Sequence, residues 1–150
     1  ALLAGFKLSG SGATMENADL TDATMQAAVL SGTPLSGANF TNAELADANF
    51  VGASMSNATL KDATLTNVAF NGAVLTGARF TSADATGSNF TGANLSSAIL
   101  VNAIVTNSSL ASTALSGATL TGVISGGITG TPSSLPTGWT LVNGTLTPPV

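Results

Sequence analysis

From Met15 to Leu120 a large apolar side chain returns at every fifth residue without a single insertion, giving 22 such centres. Seventeen are Leu or Phe; the others are Met15, Met25, Met55, Ala85 and Val105. Two residues before the centre stands an Ala in 17 of the 22 cases, the exceptions being Thr33, Val68, Ser88, Ser108 and Thr113. The remaining three positions of each pentad are mostly Thr, Ser, Asn, Asp and Gly. An α-helix would show a period of about 3.6 and a flat strand a period of about 2, so neither accounts for the pattern. A fixed period held over this length is the signature of a solenoid whose sides are each five residues long.

The phenylalanines indicate how many sides close one turn. If four pentads make a coil, residues 20 apart lie above one another. Phe50, Phe70 and Phe90 then form one column, and Phe40 and Phe80 recur in the column facing it across the square. Rings stacked at strand spacing fill a core favourably. In this frame the coil from Leu75 to Phe90 has a small centre at Ala85 between two Phe, and the flanking rings are expected to fill the space.

The pentads Ala18-Asp19-Leu20-Thr21-Asp22, Ala38-Asn39-Phe40-Thr41-Asn42 and Ala93-Asn94-Leu95-Ser96-Ser97 resemble the pentapeptide-repeat protein family. The resemblance covers residues 13–120. It implies an all-β fold, a right-handed quadrilateral parallel β-helix. Residues 13–122, at 20 per coil, would make about five and a half coils, and at about 4.8 Å per coil a rod about 26 Å long.

The ends read differently. In residues 1–12, Leu2, Leu3, Phe6 and Leu8 fall out of phase with the pentads, and Gly10-Ser11-Gly12 separates them from the first pentad. This segment reads as an N-terminal cap or arm, which shields the open edge of a first coil. After Leu120 the phase decays, and residues 123–150 read as a turn-rich link and a cap. There Trp139 to Thr147 predicts a β-hairpin with Asn143-Gly144 at a type I′ turn, stopped by Pro148 and Pro149.

Composition narrows the function classes. Only 7% of residues are charged and the net charge is −4, so solubility rests on hydroxyls and amides. Lys7, Lys61 and Arg79 are the only basic residues, too few to track a phosphate backbone, and direct nucleic-acid binding is excluded. No run of apolar residues is long enough to span a membrane as a helix. Cysteine is absent, so there is no disulfide framework. The chain begins at Ala1 rather than Met, which fits a processed form or a fragment. With the low charge and abundant Ser and Thr, localisation leans toward a secreted or extracellular setting.

Candidate chemistry is sparse. His, Cys and Tyr do not occur, so a Ser-His-Asp arrangement is impossible and general-base work would fall to seven acids on convex walls. No cofactor is expected and no enzyme. Glu16, Asp19 and Asp22 cluster near the first coil, but their spacing fits no calcium loop and reads as charge that repels edge association. The outward Thr columns are too mixed for a regular crystal-binding face, and the Asn-X-Ser/Thr sequences are a by-product of a repeat built of Asn and Thr.

The informative anomaly is apolar. Ile99, Val101 and Ile104 fall at outward positions on adjoining sides, where earlier coils are mostly polar. Exposed apolar clusters mark covered surfaces. Two covers are open: the Trp139 hairpin folded back over them, or a second subunit. With Leu3, Phe6, Trp139 and Leu141 these residues form the candidate interface. The first functional expectation is a non-enzymatic scaffolding rod that self-associates, end to end or through the side patch, into a homo-oligomer or filament. The second comes from the resemblance: some members of the family resemble DNA in shape and charge, bind type II topoisomerases and confer quinolone resistance. Those depend on a strongly acidic face, which seven acids, three bases and no acidic stripe do not supply.

Overall fold

The computed structural model describes residues 2–8 and 13–150. Successive coils are joined by isolated parallel bridges between residues 20 apart, running unbroken every fifth residue from Asp19↔Asn39 to Ala114↔Ser134. Each side is too short to make an extended strand, because a turn comes at once. In that turn the third residue after each centre donates its N–H to the centre's carbonyl, as Ala23 does to Leu20 at 3.1 Å. Four such turns close one 20-residue coil, and the chain is a β-solenoid built from pentads.

The turn depends on the residue two beyond the centre. From Asn17 to Gly127 every residue at this corner has positive φ, between 54° and 72°. L-residues resist that region; Gly enters it freely and Asn or Asp with less strain than others. The corners are accordingly Gly, Asn or Asp, apart from Ala27, Ser82, Ser97 and Ser112. Where an Asn corner lies in the coil beneath, Gly is also the residue that fits above it: a Cβ on Gly37 or Gly122 would collide with Oδ1 of Asn17 or Asn102.

Centres and the residues two before them point inward and are buried along the rod. Fully burying a Leu, Phe or Met contributes about 1.5–3 kcal/mol. The rings of Phe50 and Phe70 stack at 5.4 Å with planes 9° apart, and those of Phe70 and Phe90 at 5.0 Å and 8°. Phe40 meets Phe50 edge-on at 5.8 Å, and Phe80 meets Phe70 and Phe90 edge-on at 6.0 and 6.1 Å. The two predicted columns therefore exist and interlock across the core.

Four inward sites carry hydroxyls instead of Ala, and each is satisfied in one way. Ser88 Oγ donates to the Leu65 carbonyl at 2.6 Å, Ser108 to Ala85 at 2.9 Å, Thr113 to Phe90 at 2.7 Å and Thr33 to Leu8 at 3.0 Å. Among the described residues no buried side-chain polar atom lacks a partner.

The N-terminal segment is less separate than its phase suggests. Leu2 bridges Thr24 and Lys7 bridges Val29, an offset of 22 rather than 20. Leu3 and Leu8 thus occupy centre positions of a preceding half-coil, and Phe6 takes the site of an Ala. Two extra residues lie between this half-coil and Met15, which is why linear phase alone misses the stacking. The expected Gly10-Ser11-Gly12 separator lies outside the described residues.

At the other end β1 (Thr140–Val142) pairs antiparallel with β2 (Thr145–Thr147) around Asn143-Gly144. The hairpin docks on the last coil: Ile128 N–H donates to the Gly144 carbonyl at 3.0 Å, and Leu146 N–H to Ser125 Oγ at 3.0 Å.

Ala85 is buried, 1% exposed, beside the Phe80–Phe90 edge contact. Ala85→Leu is expected to overpack this level and cost about 1–3 kcal/mol. Thermal unfolding followed by circular dichroism checks this; an unchanged or higher melting temperature contradicts it.

Candidate functional site

Besides its outward corner residue, each pentad presents two outward rows, one residue before and one after its centre. The residue before bridges to the next coil. The residue after has the one amide in five that no backbone carbonyl takes. Asp or Asn before the centre reaches this amide from the side. Thr41 N–H donates to Asn39 Oδ1 at 3.1 Å, Val51 N–H to Asn49 at 3.0 Å and Ser96 N–H to Asn94 at 3.0 Å. This explains the acidic or amide residue of the motif: its side chain satisfies the amide of the residue that follows the centre. At Asp19 the Thr21 hydroxyl donates at 2.6 Å and the Thr21 N–H at 3.2 Å, which holds the carboxyl below the usual carboxylate range.

The acids are spaced by neutral partners. Asn42 Nδ2 donates to Asp22 Oδ1 at 3.1 Å, and Gln26 Nε2 to Glu44 Oε2 at 2.8 Å. Lys61 pairs with Asp62 at 2.6 Å on the exposed surface. Among the described residues no group of acids is arranged to hold a metal ion, and no helix is long and apolar enough to cross a membrane.

The seven candidate interface residues fall in three places. Leu3 and Phe6 are half-buried against the core at the N-terminal half-coil. Trp139 and Leu141 are half-buried at the C-terminal hairpin. Ile99, Val101 and Ile104 lie together on adjoining sides, half-buried, with Arg79 bridged to Ile99 and Asp84 to Ile104 in the coil before.

The hairpin's bonds fall on Ser125 and Ile128, beyond this patch. Ile104 bridges on to Ile124, which remains 55% exposed. None of the hairpin's hydrogen bonds to the rod runs to Ile99, Val101 or Ile104. Ile124 extends the patch, and the sequence signal for it is its spacing of 20 from Ile104. Reading the pentads only as far as Leu120 passes over it, since Ser125 supplies no bulky centre.

A second feature escaped the sequence pattern. A cleft of about 470 Å³ opens between the end of the last coil and the cap, lined by Thr121, Gly122, Val123, Trp139, Leu146, Pro148 and Pro149. Beside it the Leu120 and Gly122 amides have no hydrogen-bond partner among the described residues, although their equivalents in earlier coils do. None of the lining residues is ionisable.

Residues 11–80 match the family model described as pentapeptide repeat region, and residues 88–124 match that of pentapeptide repeats in 8 copies. The chain belongs to the pentapeptide-repeat family. Among solved structures, this pentapeptide-repeat chain is similar to a family member from the Arabidopsis thaliana thylakoid lumen. That match has 32% identity and a TM-score of 0.62, over 63% of this chain and 66% of the other. HetL, involved in heterocyst differentiation regulation in the cyanobacterium Nostoc, is 29% identical with a TM-score of 0.53, over 83% and 65% of the two chains. QnrB1, a plasmid-mediated fluoroquinolone resistance protein, is 23% identical with a TM-score of 0.57, over 81% and 66%, a likeness of fold alone. The chain spans about two thirds of the length of each of these structures. No curated protein matches it in sequence. Pentapeptide-repeat proteins are in general structural or binding proteins rather than enzymes.

Because the folded carboxyl of Asp19 is shifted down, its contribution is present above the unfolded carboxylate pKa and is lost as pH falls through the lower folded value. NMR titration is expected to place Asp19 below an ordinary aspartate, and Thr21→Val to return it upward. An Asp19 that titrates identically in both proteins contradicts the assignment.

Proposed function

We propose that the chain is a non-enzymatic scaffolding rod that pairs with a second copy of itself through the flank formed by Ile99, Val101, Ile104 and Ile124. The rod is taken as a right-handed four-sided helix of about five and a half coils, with residues 1–12 and 123–150 serving as its two caps. The observation that carries the reading is the patch itself. It is an apolar ladder on a surface mostly of hydroxyls and amides, and its last member, Ile124, is 55% exposed with the hairpin in place. Oppositely charged Arg79 and Asp84 border it, and a mixed-charge border around a shared apolar centre is self-complementary across a two-fold axis. Arg79 has no salt-bridge partner among the described residues, so its guanidinium is available to a second copy. End-to-end growth is less favoured. Residues 2–8 sit on part of the first coil and the hairpin on part of the last, and such covers keep strand edges from pairing.

A second reading is supported by the cleft at the cap. Its apolar lining beside the unpartnered Leu120 and Gly122 amides suits an extended, uncharged peptide strand of a regulatory protein partner. DNA mimicry has less support. QnrB1 shares the fold alone, and three bases among seven acids leave no acidic stripe.

Size-exclusion chromatography with light scattering over a concentration series is expected to show a dimer. In Ile104→Asn/Ile124→Asn the dimer should dissociate at least about ten-fold more readily, with the melting temperature little changed, because both side chains lie outside the core. A strict monomer at all concentrations, or a dimer indifferent to the double substitution, contradicts the proposal.

A further inference from the structure

The chain contains two Asn-Gly dipeptides, Asn71-Gly72 on the rod and Asn143-Gly144 at the hairpin tip. Asn-Gly is the dipeptide most open to spontaneous deamidation. The glycine main-chain nitrogen attacks Cγ of the preceding Asn, a C–N bond forms, ammonia leaves, and a cyclic succinimide results. Water then adds to one carbonyl or the other, giving Asp, or isoaspartate in which the main chain runs through the side-chain carbon. The step needs no reactant but water. It does need a glycine nitrogen free to swing onto the side chain.

The two sites differ in that respect. Gly72 N–H donates to the Thr91 carbonyl at 2.9 Å, and half-buried Asn71 is held between stacked coils. Its nitrogen is tied into the ladder. Gly144 N–H makes no hydrogen bond among the described residues, and Asn143 is exposed at the turn.

The consequences also differ. Asn143 and Gly144 form a two-residue turn with φ of 47° and 75°, the geometry that sets the register Val142↔Thr145. The same turn is the hairpin's anchor, since the Gly144 carbonyl accepts the Ile128 N–H at 3.0 Å. The fit is close: a Cβ built on Gly144 would stand 3.1 Å from both N and O of Ile128. An isoaspartate at 143 lengthens the main chain by one carbon and adds a negative charge at that contact. A two-residue turn cannot take up the extra atom and keep both its register and its anchor.

We propose that Asn143 is a selective deamidation site, and that its conversion to isoaspartate releases the C-terminal cap. Release lifts Leu146, 6% exposed in the intact cap, from the core, frees Trp139 and opens the Leu120 and Gly122 strand edge. The cap is then a time-dependent cover, removed by chemistry at its own turn. This inference does not depend on the flank dimer.

The test is to age the full chain in mildly alkaline buffer at body temperature and follow both asparagines by mass spectrometry with electron-transfer fragmentation, which distinguishes isoaspartate from Asp. Tryptic cleavage after Lys61 and Arg79 puts the two sites on different peptides. Asn143 is expected to convert at least roughly ten-fold faster than Asn71, as an unprotected amide compared with a ladder-bonded one. Emission of Trp139, the only tryptophan, should shift to the red in step with isoaspartate at 143. Asn143→Gly, which keeps the turn and removes the reacting amide, should abolish that shift. Equal rates at the two sites, or faster loss at Asn71, overturns the selectivity. Isoaspartate at 143 with unchanged Trp139 emission overturns the release of the cap.

Discussion

The structure depends on one local event: a hydrogen bond from the third residue after each centre back to the centre's carbonyl, closed over a corner residue in the left-handed region. It sets the side at five residues. Because it recurs without a break over every corner from Asn17 to Gly122, each centre falls over the centre 20 residues earlier and the backbone ladder stays in register. A longer side would swing the next centre out of the core. The extra pair of residues near the N-terminus shows what the ladder tolerates, an offset of 22 where a half-coil joins the end of the rod.

Once the register is set, packing and surface are dictated by position. The inward columns are filled by Leu and by interlocked Phe rings, and the few inward hydroxyls return their hydrogen bonds to the coil before. The outward columns are polar for a reason beyond solubility. An Asp or Asn before the centre binds the one amide per pentad that the ladder leaves over. The regular part of the rod is therefore occupied with its own assembly. The irregular parts, the Ile99 to Ile124 flank and the capped C-terminal end, are where partners or chemistry can act.

The sequence disclosed the fold well and the site partly. The pentad, the 20-residue coil, the Phe columns and the Asn143-Gly144 hairpin were legible, because each is a periodic or turn signal that acts within a few residues. The left-handed corner was equally present, in the recurrence of Gly, Asn and Asp two residues after the centre, but a description of that position as small or polar misses its conformational reason. The stacking of Leu3, Phe6 and Leu8 was hidden by a shift of two residues. The docking of the hairpin on Ser125 and Ile128, and with it the exposure of Ile124, depends on tertiary contacts that no local pattern encodes.

Residue-resolved amide hydrogen exchange tests the hydrogen-bond account most directly. Along the rod the account expects four protected amides in every five, with the fast one immediately after each centre, as at Gln26, Ser31 and Ala46. Where Asn or Asp reaches that amide, as at Thr41, Val51 and Thr86, exchange should be slower than at the unbound equivalents. Protection without the five-residue period, or fast exchange at the centres from Leu20 to Leu115, would contradict it.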